Sequence, residues 1–406
     1  MTTGQPAARP LAGHRVIDLT RFVSGSYATA LLAALGAEVV KIEPPDGDPY
    51  RKQGTQRLNS ESVLFLSLNS GKKSVVLDFK KPEGRAALDH LLAGSTFFVE
   101  NGRPGSLEAH GLDFASVHER HPHLVYGSIS GYGEVGPDAT RGGFDLVLQA
   151  AAGLMSVTGT EDSGPVKVGA PVLDIGAALS CVIGLLAAHV EREQTGRGRH
   201  VSSSLFEFAM AALSTVAADF LAAGVVPGLL GTHSPTFAPY GSFRTADGWI
   251  VLAGTGSEDL WHRTCVVLGD AALATDHRFR DNATRVTHRD ELTARLEAVL
   301  ARGTSAEWLQ RFDTAGIPAS EVRDLGQVLT SEQVAALGAV QALEHPTAGS
   351  YRVVGFPLRF DGVAMPVPGP APGLGVDTDQ VLAGLGAPSG GPETLRLPGQ
   401  HGAVRP

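Results

Sequence analysis

Cysteine is nearly absent: the 406-residue chain has two, Cys181 and Cys265. A pair so far apart makes no disulfide framework and no metal site, so no metal is expected. Charge is scarce too, at 18% of residues, and sums to −9. That balance argues against nucleic acid and anionic membranes as partners. No apolar run is long and uninterrupted enough to suggest a membrane span. The opening MTTGQPAARPLAG lacks the charged start and apolar block of a signal peptide. The expectation is a soluble, cytoplasmic protein. A dinucleotide fingerprint is missing as well. After the first strand-like run the chain reads Thr20-Arg21-Phe22-Val23-Ser24-Gly25-Ser26, with one glycine where Gly-x-Gly-x-x-Gly needs three.

What is abundant is apolar and small. Hydrophobic residues make up 43% of the chain and glycine accounts for 50 positions, a globular composition. The chain is too long for one core, so two domains are expected. Strands are predicted over 14–19, 38–42, 73–77, 96–99 and 124–129. Helices are predicted over 27–35, over 82–92 and from Ser106. Strand-helix-strand repetition of this kind gives an α/β fold with a large open parallel sheet, Rossmann-like, whose ligands bind beyond the carboxyl ends of the strands. A long apolar helix is predicted over 208–225. Residues 231–322 read as a small α+β domain, with strands at 241–244 and 249–253 and helices near 258–268, 288–300 and 305–315. Residues 1–230 and 323–406 would form the large domain. The Pro/Gly-rich stretch 365–375 reads as a surface loop, and 390–406 as a loose tail.

One stretch stands apart. VGAPVLDIGAALSCVIGLL, residues 168–186, holds a single acid, Asp174, among small and apolar residues. Ile175, Leu179, Ile183 and Leu186 recur at helical spacing, so Asp174 stands at a helix start. There it could simply cap the helix, or it could be a carboxylate nucleophile in an apolar cleft. Elsewhere, Lys72 and Lys73 begin a strand, and Arg103 sits in the turn Asn101-Gly102-Arg103-Pro104-Gly105. Together these three could rim a polyphosphate ligand. Each lysine could equally be a solvated sheet edge.

Taken in order, LAGHRVIDLTRFVSG, LGAEVVKIEPPDGDPYR, LNSGKKSVVLDFKKPEGR, FVENGRPGSLEAHGL, SISGYGEVGP, GGFDLVLQAAAGLMSVTG, VGAPVLDIGAALSCVIGLLAA and TGRGRHVSSSLFE resemble the family III CoA-transferases, the CaiB–BaiF family. APYGSFRTADGWI, AEWLQRFDTAGIPASEV and PGLGVDTDQVLAGLG extend the likeness to nearly the whole chain. The resemblance implies an interlocked homodimer, acyl-CoA and a free carboxylic acid as substrates, and no prosthetic group. It implies Asp174 as the nucleophile, passing through aspartyl anhydride and aspartyl-CoA thioester stages. It implies CoA contacts at Ser24, Lys72, Lys73, Asn101, Gly102, Arg103 and Phe144. The α-methylacyl-CoA racemases share the superfamily but carry Gly-His-Asp where this chain reads Gly143-Phe144-Asp145. Phenylalanine carries no proton, so racemisation is disfavoured. A catalytically silent CoA-binding protein is the remaining alternative. The segment 228–240, GLLGTHSPTFAPY, lacks the four-glycine run of oxalate- and formate-handling members, and its His233 reads as a surface residue.

Overall fold

The structure is a computed structural model that describes residues 9–384; the expectation for the tail falls outside them. The chain divides into two compact units. Among the described residues the first comprises 9–153, 168–215 and 332–384, and the second 154–167 and 216–331. Residues 154–167 and 216–230, expected in the large domain, thus belong to the second unit, and 323–331 stay with it.

The first unit is built on a six-stranded parallel sheet. In chain order its elements are β1 (Arg15–Leu19), α1 (Ser24–Ala34), β2 (Glu38–Glu43), α2 (Pro49–Lys52), α3 (Val63–Leu68), β3 (Lys73–Val76), α4 (Pro82–Ala93), β4 (Phe97–Glu100), α5 (Phe114–Arg120), β5 (Val125–Ser130), α6 (Asp145–Ala151), α7 (Val172–Thr195), β6 (His200–Ser204) and α8 (Leu205–Ala212). The strand order is β6-β5-β4-β1-β2-β3, and every pairing is parallel. Every residue of β4 and β5 is buried, as a parallel sheet covered on both faces requires. Ile17, Val40, Val75 and Phe98 pack on Ala87, Leu88, Leu91 and Leu92 of α4 and Val117 of α5. On the remaining strands α7 lies against β5, β6 and α1. Its 24 residues are long and apolar enough, by length and composition, to cross a bilayer, which corrects the sequence reading. Here Leu173, Ala177, Ala178, Cys181 and Leu185 are buried in the unit's core instead.

Other expectations shift locally. A 3₁₀ turn, Glu108–His110, follows the Asn101 turn before α5, so no helix starts at Ser106. The apolar run 208–225 breaks at Leu213 into two helices. The 365–375 loop is not superficial: Val367 and Ala371 pack on Phe65 and Leu66 of α3, and Met365 is buried as well. In the second unit, strands Tyr240–Arg244, Trp249–Ala253 and Ala319–Glu321 form an antiparallel sheet. Its core gathers Phe243, Ile250, Trp261, Leu296, Trp308 and Phe312. His233 packs edge-on against Phe243 at 5.7 Å, half-buried and inside its own unit.

An ion cluster lies inside the first unit. Lys72 Nζ, on a fully buried side chain, meets Asp18 Oδ2 at 3.0 Å, Ser26 O at 2.9 Å, Thr29 Oγ1 at 2.8 Å and Asn69 Oδ1 at 2.9 Å. Burial would raise Asp18, but Lys72, Lys41 and Thr20 bring its carboxyl down to about 2. Burial pulls Lys72 down to about 8, so the pair is ionised at neutral pH. Replacing Lys72 by Met should strand a buried carboxylate and cost about 3–5 kcal/mol, measured by urea unfolding. Adding Asp18→Asn should recover part of that loss; a single variant as stable as wild type would contradict the arrangement.

Candidate active site

A cavity of about 350 Å³ opens at the carboxyl end of the sheet. Phe22 and Ser24 reach it from the end of β1, Tyr50 from beyond β2, Asn101, Gly102 and Arg103 from beyond β4, and Ser130 from the end of β5. Strand order reverses between β1 and β4, and a parallel sheet opens its ligand crevice at such a reversal. The topology is that of a dinucleotide fold without the glycine fingerprint.

Asp174 lines this cavity from the first turn of α7. It does not cap the helix. Pro171 occupies the cap position without a side-chain bond. The free amides of the first turn are taken from outside: Asp145 Oδ2 accepts from Leu173 N–H at 2.8 Å and from Asp174 N–H at 3.2 Å. Asp145 also accepts from Gln149 Nε2, and Gln149 Oε1 accepts from Val168 N–H at 2.8 Å. The α6 residues Asp145 and Gln149 therefore fix the chain on either side of Pro171, and the Asp174 carboxyl is left to face the cavity. Burial, and next the Asp145 charge, push Asp174 up to about 7, against a hydrogen bond from Ser24 that lowers it.

The walls are partly aromatic. Phe22 stacks edge-on against Tyr50 at 5.4 Å and against Phe144 at 5.7 Å. Its φ of 59° lies in the left-handed region, a strained choice for a non-glycine residue. Asn101 holds the loop there: its Oδ1 accepts from Arg21 N–H at 2.8 Å and its Nδ2 donates to Arg21 O at 2.7 Å. Arg103 and Arg141 supply the cations, and Arg141 is paired with Asp138 at 2.9 Å.

Of the residues picked from the sequence, Ser24, Asn101, Gly102, Arg103, Phe144 and Asp174 come together at the cavity. Lys72 and Lys73 do not. Lys72 is consumed by the Asp18 cluster. Lys73 opens β3 and pairs with Glu38 at 2.6 Å, at the amino end of the strands. The expected three-cation rim is therefore corrected to Arg103, with Arg141 beside the same cavity. In a parallel sheet every strand starts at the end opposite the ligand crevice, so a lysine that opens a strand is badly placed for such a rim. Phe22, Tyr50, Arg141 and Asp145 were missed as site residues. A strained φ and a capping bond made across 28 or more residues leave no local signature.

The pattern that defines CoA-transferase family III matches residues 11–378. The chain belongs to that family. This CoA-transferase is 36% identical over 386 residues to the mouse succinyl-CoA:glutarate CoA-transferase, covering 94% of this chain and 88% of that one. It is 33% identical to the acetyl-CoA:oxalate CoA-transferase of Acetobacter aceti, covering 89% and 92%. A CAIB/BAIF family protein from Brucella suis superposes with a TM-score of 0.82 at 31% identity, over 93% of this chain and all of that one.

The Asp174 environment sets a pH-dependent stability. Its carboxyl titrates near 3.8 ordinarily and near 7 in the fold. The unfolded chain loses this proton first as pH rises, so stability falls between those values and the loss is complete above about 7. Asp174→Asn should therefore be more stable than wild type at pH 8 by on the order of 2 kcal/mol, allowing for solvent screening. At pH 4 the two should agree. Equal melting temperatures at pH 8 would show that the carboxylate carries no burial cost.

Proposed function

We propose that Asp174 is the nucleophile of the transfer and that the exchange runs through covalent aspartyl intermediates. The observation that carries this reading is the placement of Asp174: its helix is capped by Asp145, so the carboxyl itself faces the cavity with no lysine or arginine bonded to it among the described residues. The carboxylate attacks the carbonyl carbon of the donor thioester, the C–S bond breaks, and CoA leaves as thiolate from a mixed anhydride. The thiolate attacks the aspartyl carbonyl, releasing the donor acid and leaving an aspartyl-CoA thioester. The acceptor carboxylate attacks that thioester and forms a second anhydride. Thiolate attack on its acyl carbonyl then yields the new acyl-CoA and restores Asp174. Each step trades a carboxylate for a thiolate, so no proton is moved. The cavity lining fits that economy, since it includes no histidine, cysteine or lysine. Phe22, Tyr50 and Phe144 supply an apolar wall that would limit hydrolysis of an anhydride.

The acceptor proposed is a short dicarboxylic acid. Support comes from the glutarate and oxalate named for the relatives and from two guanidinium groups, Arg103 and Arg141, at one cavity. A homodimer and a cytoplasmic location complete the proposal. Exposed Ile183 and Val190 on α7 support the first, and two free, buried cysteines support the second.

With succinyl-CoA and glutarate, the wild type should transfer CoA, and hydroxylamine should trap a hydroxamate on the peptide containing Asp174, read by mass spectrometry. Asp174→Ala should lose both activities while remaining folded, read by circular dichroism. Because the attacking form is the carboxylate, kcat/KM should fall as pH drops through about 7. Substantial transfer by the alanine variant would sink the mechanism. A chiral 2-methylacyl-CoA in deuterated water should gain no deuterium at C2, as Phe144 has no proton to exchange. Rapid exchange would return the isomerase reading to first place.

A further inference from the structure

Glu100 ends β4 and takes no part in the exchange described above. Its side chain is buried, and it stands in register with Ser128 on β5. Its Oε2 accepts from Gly102 N–H at 2.6 Å, and the Ser128 hydroxyl bonds the same carboxyl. Ser128 Oγ lies 2.9 Å from His200 Nε2 on β6, and that nitrogen is 3.4 Å from Glu134 Oε1. Glu100, Ser128 and His200, on three adjacent strands, thus form one hydrogen-bonded line behind the cavity, with Glu134 near its far end. The groups facing Glu100 are Glu134, the Tyr126 phenol, the Cys181 thiol and, through Ser128, His200. None is a permanent cation. Burial, with some repulsion from Glu134, pushes Glu100 up to about 7, and burial lowers His200. Below about pH 7 the Glu100 carboxyl is therefore mostly protonated, and burial holds the His200 ring neutral to a lower pH than usual. The Glu100 O–H can donate to Ser128 Oγ, whose own O–H donates to His200 Nε2.

The turn resting on this carboxyl is the cavity wall that includes Asn101, Gly102 and Arg103. There is no slack at Gly102: a Cβ would come within 2.6 Å of Ser106 Oγ and 3.1 Å of Glu100 Oε2. Asn101 in turn clamps the backbone of Arg21, next to Phe22. One carboxyl therefore underpins two walls of the cavity, although Glu100 itself does not line it.

We infer that Glu100 is a positioning residue: its carboxyl, bridged through Ser128 to His200, seats the Asn101–Arg103 turn in the form that receives CoA. The inference rests on the cavity being the acyl-CoA site, and not on Asp174 being the nucleophile. The experiment therefore measures binding of CoA itself by calorimetry, in full-length protein carrying Asp174→Ala as the parent. Adding Glu100→Ala should weaken CoA binding about tenfold, the loss of one or two buried hydrogen bonds. Glu100→Gln should stay within about twofold of the parent at pH 6, since its amide accepts from Gly102 and donates to Ser128. From pH 6 to pH 8 the parent should lose affinity relative to the Gln variant, because only the parent ionises under the turn. Unchanged affinity in Glu100→Ala overturns the inference, and so does a Gln variant as weak as the Ala variant at pH 6. Should Glu100→Ala fail to fold, Ser128→Ala decides: weaker CoA binding supports the bridge, and equal binding overturns it. A parent that binds no CoA overturns the site assignment and this inference with it.

Discussion

The Asp145 carboxylate, bonded to the first amides of α7, is the contact on which the site depends. A helix N-terminus attracts negative charge, and Asp174, in the first turn, would ordinarily supply it to its own backbone. With Asp145 in that role, Asp174 loses its local partner and keeps a full share of burial and a like charge nearby. Both push its proton affinity upward. The same contact therefore leaves the carboxyl facing the cavity and withholds stabilisation from it, as the proposed role of nucleophile requires. Gln149, one turn further along α6, ties down the chain before Pro171, so the aim does not depend on a single bond.

The surrounding cleft is held by charge placed where water does not reach. Lys41 donates to Thr20 O at 2.8 Å and pairs with Asp48 at 2.9 Å, while Asp48 Oδ1 accepts from Tyr50 N–H at 2.8 Å. One buried lysine thereby links the loop after β1 to the start of α2, the two segments that present Phe22 and Tyr50. Such buried pairs add little net stability over an apolar packing. What they do here is fix the register of the two loops relative to each other. The strained φ of Phe22 persists because Asn101 on one side and the Lys41–Asp48 pair on the other leave that loop no alternative.

Much of this was legible in the sequence. The alternation of buried strands and small-residue helices is local, so the parallel sheet could be read from composition and spacing alone. Asp174 was legible because it is the lone acid in an apolar run. The ordered motifs of the family then favoured nucleophile over cap, although the motifs do not say what replaces the cap. Asp145, beside the informative Phe144, was quoted but not recognised: its partners lie 28 and 29 residues on, a pairing only the fold creates. The lysines failed for the converse reason. Lys72 and Lys73 are neighbours in sequence, yet one points into the Asp18 cluster and the other pairs at the strands' amino end. Lys73 opens β3 whereas Lys72 lies just before it, so neighbours in sequence meet different partners.

The exchange proposed for Asp174, which moves no proton, would account for a cavity lining without histidine, cysteine or lysine. A carboxylate displaced by a thiolate, and a thiolate by a carboxylate, conserve one negative charge at each step. A general acid would add nothing, whereas any proton donor near an anhydride would help water cleave it. The requirement is instead a place where one anion is tolerated but not neutralised. Asp174 is not bonded to a cation among the described residues, and Arg103 and Arg141 belong to the same cavity, fitted to hold the ends of a charged substrate. Moving either guanidinium onto Asp174 would stabilise the resting carboxylate and take away the basicity that burial gives it. In the proposed mechanism this separation of nucleophile from cation keeps the carboxylate basic, and it follows from placing Asp174 on α7 and the arginines on loops that follow other strands.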